Sequence, residues 1–520
     1  MFQPEAFAEA LSLVFTFRTL YWLAVGVTIG VGVGAIPGLT ASTGIALMLP
    51  LTFQMDTASA LGLLIGLYKG AVYGGSISAI SFATPGTPEA AATVYDGYKL
   101  MQRGQGRKAI LMALYASVTG DTLSDVITIL VAPALALVAL RFGPSERFWL
   151  VLLAVTLLGA LSGRHFAKGM LSAALGLFVG TIGSDPIGGV SRNTFGLWWL
   201  QEGIHLIPLM IGIFAMSRML EESAALLKES RAAKVTQEAI STLFMRRGEG
   251  LTFREYIRAW KEMLIGLGVG SFVGMLPGLG STVGAFLSFS VAKQASPEKG
   301  IGTGVLEGVA AAESGNNATV GPTLIPLLAF GIPGSSGAAL IGGALMLQGA
   351  TPSPRMFELY PTVVYSLFII LFIGNFFNLG IGRIFALLYA RLGQLPRHVL
   401  IPLIVMMAII GSYSFQGNPY DVVIMLVFGL VGFGMRQLGI PDAPLVITFL
   451  ITPMMEASIR KALLISRGDW FEALFKSPLA VGLFLSAIVL TYVSVRLQVH
   501  ERVLSAAAAA EEEATAEASR

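Results

Sequence analysis

The sequence predicts an all-α polytopic membrane protein, built from two inverted structural repeats with Pro-Gly-broken helices and re-entrant hairpins. The 520 residues are 54% hydrophobic and only 12% charged, with a mean hydropathy of +0.74. A soluble chain carries about 25% charged residues. Long apolar runs alternate with short polar links, and at about 20 apolar residues for one span the chain holds about 10–12 spans. The repeat is visible in motifs that both halves share.

The composition also excludes several classes of function. The net charge of +3 is too small and too scattered to indicate nucleic-acid binding. The chain has no Cys, which excludes disulfides, thiol catalysis and Cys-based zinc sites. Its 4 His residues are scattered, so we expect no transition-metal site and no cofactor. The acidic N-terminus lacks the basic region of a signal peptide, so we expect the first span to direct its own insertion.

A charged segment divides the chain into a first membrane half, 1–217, and a second, 263–497. This linker, 218–262, holds 9 Lys/Arg and 7 Asp/Glu and is expected in the cytoplasm by the positive-inside rule. The low-complexity tail, 498–520, is expected to be disordered or a frayed helix.

The two halves share motifs in the same order. GxxVGxxPGL begins at Gly30 and recurs from Gly270, an offset of 240, and ATPGTPEAA from Ala83 corresponds to GIPGSSGAA from Gly331, an offset of 248. A shared preference of membrane helices for Gly and Pro is the alternative explanation. The first motif also repeats Gly at every fourth position in both halves, which predicts close helix packing.

Unequal charge in matching loops predicts that the repeats are inverted. The loop 99–108 (KLMQRGQGRK) carries four basic residues and no acid, whereas 349–361 (GATPSPRMFELYP) has one Arg and one Glu. We therefore expect them on opposite sides of the membrane. Arg460, Lys461 and Arg467 disagree with simple counting, which indicates either a re-entrant segment near 440–456 or an error of one in the count.

Each half breaks an apolar run at Pro-Gly pairs. Pro removes a backbone donor and interrupts a helix, and broken backbone at membrane depth is tolerated only inside protein or beside a wet cavity. Paired broken helices in corresponding halves indicate a transporter site near the midplane. The predicted structural breaks are at Pro37, Pro85, Pro277 and Pro333.

Small polar residues follow each break, where they would begin a new half-helix. Free N–H groups and the positive dipole end attract anions there, and hydroxyls add donors, which suits a substrate that carries a carboxylate. The alternative is that these hydroxyls only cap the half-helices. The candidate substrate-binding residues are Gly38, Thr40, Ser42, Thr43, Thr84, Gly86, Thr87, Gly278, Ser281, Thr282, Asn316, Asn317, Gly334, Ser335 and Ser336.

Polar residues within the apolar stretch 307–326 indicate a place for a coupling cation, since ionisable groups inside a membrane are costly and usually functional. An Asn pair could coordinate Na⁺ or hydrogen-bond a carboxylate, and a Glu could carry a proton; interhelical hydrogen bonding by the Asn pair is the alternative. The coupling-ion candidates are Ser76, Asp121, Glu313, Asn316 and Asn317.

Two further hypotheses concern charged residues in apolar runs. Lys69 in the first half and Glu307 in the second could form a pair. Asp121 and Asp125 could carry protons, or could lie near a helix end.

These motifs resemble the TctA family, the large membrane subunit of tripartite tricarboxylate transporters. The resemblance extends from about residue 20 to residue 480 and rests on GAIPGLTASTGIALMLPLTF, YGGSISAISFATPGTPEAAATVYDGY, LPGLGSTVGAF, EGVAAAESGNNATVGPTLIPLLAFGIPGSSGAALIGGAL and PDAPLVITFLITPMMEASIRKAL. One departure is FLITPMMEAS, where the family leads us to expect more Gly.

The resemblance implies the transport pathway of a secondary uptake system in the bacterial inner membrane. It implies import of a tricarboxylate or related carboxylate with Na⁺ or H⁺, without an ATPase. The implied partners are a periplasmic solute-binding protein, a small membrane subunit and membrane lipid. A carboxylate channel is one alternative. A membrane-embedded enzyme acting on a lipid is another, and it would need paired acids or a metal cluster in one plane.

Overall fold

The computed structural model describes residues 3–36, 38–161, 166–185, 189–228, 250–392 and 397–496. Pro37, residues 229–249 of the linker and the tail 498–520 lie outside the described residues. Within the described ranges nearly all regular structure is helical, which confirms the predicted all-α class. The halves predicted at 1–217 and 263–497 stay predictions.

The membrane helices are joined by short helical turns and by one small antiparallel pair of strands, β1 Gly183–Ser184 and β2 Ser191–Arg192. Helix α9 continues as a π-helical turn, Ile211–Met216. The described helices are α1 Pro4–Val14, α2 Phe17–Ala35, α3 Ala41–Met48, α4 Thr57–Phe82, α5 Val94–Gln102, α6 Gly106–Ala139, α7 Pro144–Leu161, α8 Phe166–Val179, α9 Leu206–Met210, α10 Ser217–Lys228, α11 Phe253–Arg258, α12 Trp260–Met275, α13 Gly280–Ala295, α14 Leu306–Asn317, α15 Leu324–Phe330, α16 Ser336–Leu347, α17 Met356–Leu359, α18 Pro361–Leu392, α19 Arg397–Gln416, α20 Pro419–Gln437, α21 Ala443–Ile465, α22 Trp470–Phe475 and α23 Pro478–Arg496.

Seven helices in the described ranges are long and apolar enough to cross a membrane, namely α2, α4, α6, α18, α20, α21 and α23. Shorter apolar helices accompany them in α8, α16 and α19. These helices confirm a polytopic membrane protein, while the expected total of about 10–12 spans stays a prediction.

The chain folds as two compact units. The first comprises Met1–Arg141 and Trp198–Gly434, and the second comprises Phe142–Leu197 and Met435–Arg520. Every described candidate residue of the substrate and cation sites lies in the first unit.

In the first unit, Gly residues bring helix backbones into close approach. A Cβ added to Gly30 on α2 would lie 2.9 Å from the Cα of Leu67 on α4, and one on Gly270 of α12 would lie 3.0 Å from the Cα of Gly315 on α14. Small residues permit such packing in membranes. The four-residue Gly spacing therefore forms an equivalent helix contact in each half.

The helices end at the predicted Pro-Gly positions. Gly38, between α2 and α3, has φ 98°, and Gly278, between α12 and α13, has φ 88°, both in the left-handed region that favours Gly. Pro85 follows the end of α4, and Pro277 and Pro333 lie between helices α12 and α13 and helices α15 and α16. The chain is therefore interrupted in both halves beside the candidate substrate residues.

Two segments predicted to be cytoplasmic meet at one end of the first unit. Lys108, in the basic loop, lies 2.8 Å from Glu255, which completes a capping box with Thr252 at the start of α11. Partial burial raises the pKa of Glu255, but hydrogen bonds from Lys108 and Thr252 outweigh it and lower the pKa to about 2. The linker thus returns beside the loop whose charge predicts the same side of the membrane.

Asp96 on α5 joins this end to the second half of the chain. Its carboxylate accepts hydrogen bonds from the backbone N–H groups of Gly302, Gly304 and Val305, at 2.6–3.0 Å. Arg103 donates to the carbonyl oxygen of Gly304 at 2.9 Å. Asp96 is fully buried, so these charge-assisted bonds replace its water. We call this arrangement the Asp96 clasp.

In the second unit, α21 runs without a break from Ala443 to Ile465, so there is no re-entrant turn between those residues. Glu456 on this helix pairs with Arg192 of β2 at 2.6 Å. Arg460, whose position disagreed with the simple span count, lies 2.8 Å from Asp185. Its charge is therefore balanced within the second unit.

Candidate functional site

Hydroxyl groups that follow the helix breaks of the two halves meet in the first unit. Ser42, in the first turn of α3, and Ser336, in the first turn of α16, have Oγ atoms 2.7 Å apart although they are 294 residues apart in sequence. Ser42 is buried and Ser336 is half-buried. The amino-terminal turns of two interrupted segments, one from each half, therefore face each other.

Two more hydroxyls extend this contact. Ser335 caps α16 by accepting from the N–H of Ala338 at 3.1 Å, and its Oγ lies 3.1 Å from the phenol oxygen of Tyr68 on α4. We call Ser42, Tyr68, Ser335 and Ser336 the hydroxyl cluster. Its donors lie at the positive end of a helix dipole, where an anion is favoured.

The interrupted segments of the second half are held to each other through their backbones. Gly278 donates to the carbonyl oxygen of Gly334 at 2.9 Å, and Gly334 donates to that of Thr323 at 3.1 Å. The Oγ of Ser281 lies 2.5 Å from the Oγ1 of Thr319. Gly278 and Gly334, two of the candidate substrate residues, are thus hydrogen-bonded to each other.

Three other predicted hydroxyls make hydrogen bonds with backbone groups. Thr40 is the cap of α3 and accepts from the N–H of Thr43 at 3.1 Å, while the Thr43 hydroxyl donates to Phe214 O at 3.1 Å. Thr84 is exposed and donates to Phe82 O. Thr40 therefore makes the bond of the capping alternative, whereas the Thr43 and Thr84 hydroxyls donate to backbone carbonyl oxygens and cap no half-helix.

The remaining small candidate residues make no hydrogen bond to the hydroxyl cluster among the described residues. Gly86 donates to Gly75 O at 3.3 Å, Thr87 is buried and Thr282 is half-buried. Ser76 donates to Tyr73 O, in its own helix, at 2.7 Å. Its hydroxyl is therefore turned to α4 and not to the acids described below.

Arg218 of α10 covers the Gly38 turn. Its Nε donates to the carbonyl oxygen of Gly38, and its other nitrogens pair with Glu221 at 2.6 Å and Glu222 at 3.2 Å. The side chain of Arg218 is only 22% exposed. A guanidinium thus lies directly beside the first interrupted segment, at the start of the charged linker.

Glu313, on α14, is a fully buried carboxylate. It accepts hydrogen bonds from the Thr93 hydroxyl and, at 3.1 Å, from the Ser117 hydroxyl of α6. Asn317 donates to the same Ser117 at 2.8 Å. We call these four residues the Glu313 cluster; among the described residues no Lys, Arg or His pairs with Glu313.

Uncommitted polar atoms surround the Glu313 cluster. Both amide atoms of Asn316, Oδ1 of Asn317 and the hydroxyl of Tyr73 are buried and have no hydrogen-bond partner among the described residues. Asn317 makes the interhelical bond of the alternative interpretation, but Asn316 makes none. Buried oxygens beside an unpaired carboxylate are suitable ligands for a proton or a hard cation.

Lys69, on α4, is fully buried and lies between two acids of α6. Its Nζ is 2.8 Å from Asp121 and 2.8 Å from Asp125, and it also donates to Asn375 of α18 at 3.1 Å. Asn375 in turn donates to Asp125 at 2.6 Å. We call these four residues the Lys69 cluster.

This arrangement corrects two hypotheses. The pairing of Lys69 with Glu307 is wrong, because Lys69 lies within α4 whereas Glu307 is in the first turn of α14, where it pairs with Arg258 at 3.0 Å. The proposal that Asp121 and Asp125 lie near a helix end is also wrong, since both are in the middle of α6 and at most 1% exposed.

The sequence analysis missed Thr93, Ser117, Tyr68, Arg218 and Asn375. One signal was available for α6, because Ser117, Asp121 and Asp125 are four residues apart and such positions share one helix face. The same face meets the Glu313 cluster at Ser117 and the Lys69 cluster at the two acids. A continuous polar strip therefore runs along α6.

Comparison with known proteins identifies the family of the chain. Residues 20–447 match the Tripartite tricarboxylate transporter TctA family. The chain is 34% identical over 470 residues, 89% of its length, to an Agrobacterium vitis protein described as the "Uncharacterized 52.8 kDa protein in TAR-I ttuC' 3'region", of which the match covers 91%. It is 38% identical over 215 residues, 41% of its length, to a second Agrobacterium vitis protein, the "Uncharacterized protein in TAR-II ttuC' 3'region", of which the match covers 88%. No solved structure matches the chain. With a match over most of its length, this multi-pass membrane protein belongs to the TctA family of tripartite tricarboxylate transporters.

Proposed function

We propose that the protein is the large membrane subunit of a secondary transporter that imports a carboxylate together with a cation. The observation that carries the proposal is the contact between Ser42 and Ser336, which joins the interrupted segments of the two halves. Family membership supports the tripartite transporter in general. The substrate binds at the hydroxyl cluster, where N–H groups and hydroxyls from both halves surround its carboxylates.

In the proposed transport step, the two interrupted segments that form the hydroxyl cluster move against each other. Each half contributes one interrupted segment, so a displacement of one against the other separates Ser42 from Ser336 and opens the cluster to one side of the membrane. Arg218 rests on the Gly38 turn and closes the approach next to the linker. The Glu313 and Lys69 clusters supply the negative charge that a co-transported cation neutralises.

The transporter works with a periplasmic solute-binding protein that delivers the carboxylate and with a small membrane subunit. We place it in the bacterial inner membrane, where an ion gradient drives uptake. It is a transporter and not an enzyme, and Na⁺ or H⁺ is its coupling ion.

Uptake into proteoliposomes tests the proposal. Vesicles would contain this chain and its small membrane subunit, with the cognate binding protein added outside, and would receive radiolabelled citrate, succinate or glutamate. Na⁺ and proton gradients would be imposed separately. We expect accumulation of one carboxylate above its outside concentration under one gradient, abolished by an ionophore. Rapid equilibration without accumulation would instead identify a channel.

Alanine substitutions test whether the predicted substrate residues contribute to substrate binding. We expect simultaneous replacement of Ser281, Thr282, Ser335 and Ser336 by Ala to raise the KM of uptake at least tenfold, because four potential donors to the carboxylates are removed. Thr52→Ala is a matched control, since the Thr52 hydroxyl is buried and donates only to Leu49 O of its own turn. An unchanged KM and Vmax in the fourfold variant would remove these residues from the site.

A further inference from the structure

We propose that the Lys69 cluster binds the proton that is co-transported, and that Asp121 carries it. This inference rests on the proposed function, because it names the coupling ion of the symport and the residue that holds it. The sequence predicts Asp121 as one of five candidate residues for the coupling ion and does not connect it to Lys69 or Asn375.

When both acids are ionised, the Lys69 cluster carries one negative charge that no cation within it balances. Two carboxylates share one ammonium, and the side chains of Lys69, Asp121 and Asp125 are at most 1% exposed. All three lie on helices long enough to span the membrane. An unbalanced charge buried in this way is unfavourable, and one added proton makes the cluster neutral.

Hydrogen bonding distinguishes the two acids. Asp125 Oδ2 accepts from Lys69 at 2.8 Å and from Asn375 at 2.6 Å, which stabilises its ionised form. The Oδ1 atom of Asp125 has no hydrogen-bond partner among the described residues, but Asp121 is less well satisfied: its Oδ1 lies 2.8 Å from the Lys69 ammonium, and neither of its buried oxygens accepts a hydrogen bond with good geometry from a described residue. The proton therefore resides on Asp121, and Asp125 stays the counterion of Lys69.

The geometry favours a proton over a metal cation. The Lys69 ammonium occupies the space between the carboxylates, 2.8 Å from each, and repels a second cation there. A metal ion needs several oxygen ligands around it, whereas a proton needs one oxygen atom. The amide of Asn375 is already committed to Lys69 and Asp125.

Other ionisable groups that face this part of α6 are few in the described ranges. Tyr73 lies one helical turn beyond Lys69 on α4, and Glu313 reaches α6 through Ser117, one turn before Asp121. Outside the Lys69 cluster, Glu313 is thus the acid that contacts the polar strip of α6, and a proton leaving Asp121 can pass to it along that strip.

The test compares accumulation with exchange in the same proteoliposomes. Asp121→Asn keeps the size of the side chain and makes the cluster permanently neutral. We expect accumulation driven by an inward proton gradient to fall at least tenfold, while exchange of radiolabelled for unlabelled carboxylate at equal concentrations continues at a rate similar to that of the wild type. Ser124→Ala is the matched control on the same helix, because its buried hydroxyl donates only to Asp121 O of the backbone; it should preserve both activities.

Asp121→Glu keeps the carboxyl group on a longer side chain and guards against misfolding of the Asn variant. We expect it to accumulate substrate with a shifted pH profile, because the displaced carboxyl loses its present distance to Lys69. Proton-driven accumulation by Asp121→Asn at the wild-type level, an unchanged pH profile in Asp121→Glu, or wild-type accumulation that follows only a Na⁺ gradient would each overturn this inference. A wild type that neither accumulates nor exchanges any of the carboxylates would contradict the proposed function itself.

Discussion

Glu313 is the residue at which burial and charge are most plainly in conflict. Its side chain is inaccessible, its two oxygens accept only from hydroxyls, and no described cation pairs with it. An ionised carboxylate in such a place loses far more solvation than two hydroxyl hydrogen bonds restore. The carboxyl group is therefore stable at this place only when it is neutral or when a cation balances its charge.

We predict that Glu313→Gln melts at the wild-type temperature or above, whereas Glu313→Leu melts lower. The amide keeps an acceptor for Thr93 and carries no charge, but leucine removes the acceptor of both the Thr93 and the Ser117 hydroxyl protons, at about 1–3 kcal/mol for each. Thermal unfolding of the purified protein in detergent measures both variants. Equal losses in the Gln and Leu variants would show that the charge stabilises the fold.

Sequence reasoning at the residue scale selected Glu313, Asp121 and Ser336 but chose the wrong partner for Lys69. Polarity inside an apolar run is a property of the sequence alone, so the cost of burying those groups could be predicted. The partner of Lys69 depends on which helices lie beside α4, and spacing within one segment contains no such information. Asn375 could not be found for the same reason, since it comes from α18, 306 residues away.

Helix pairs are held by backbone contact along lines of Gly. Gly30 faces the backbone of α4. A Cβ added to Gly32, on the same helix, would have no atom within 4 Å outside its own helix backbone. In the second half Gly270 and Gly268 form the same contrast on α12. The four-residue period could be predicted from the sequence, but the helix that receives each Gly face could not.

We predict opposite effects of Ala at these neighbouring positions. Gly30→Ala and Gly270→Ala force packed backbones apart and should cost about 1–3 kcal/mol. Gly32→Ala and Gly268→Ala should be neutral or stabilising by up to about 1 kcal/mol, because Ala favours the helix. Unfolding in detergent compares the two members of each pair. A loss at Gly32 as large as that at Gly30 would show that the close approach of the two backbones is not the cause of the loss at Gly30.

For the whole molecule, the orientation of the two halves is the main open prediction. Gly97, just before the basic loop, packs against Ile80 near the carboxyl end of α4. Gln348, at the start of the matching loop, donates to Thr52 O beside the amino end of α4. The 26 residues of α4 are about 39 Å long, enough to separate the two faces of a membrane. The residues just before the two loops thus lie near opposite ends of α4, and the inversion of the two halves stays a prediction.

The absence of Cys from the chain makes a direct test simple. We predict that Gln102→Cys, in the basic loop, reacts with a membrane-impermeant maleimide only in inverted vesicles, and that Thr351→Cys reacts only in right-side-out vesicles. Both positions are exposed. The wild type, without thiols, gives the background labelling. Reaction of both positions from the same side would exclude inverted halves.

The Asp96 clasp has a consequence for biosynthesis. Asp96 leaves the ribosome early, but the N–H groups that it needs belong to Gly302, Gly304 and Val305, which are synthesised more than 200 residues later. During insertion its carboxylate must keep water or another donor until α12 and α13 have been made. A nascent chain that stops before Gly302 therefore carries an unsatisfied acid where the finished protein is dry. The local structure around Asp96 in the first half is therefore completed only when the second half has been synthesised.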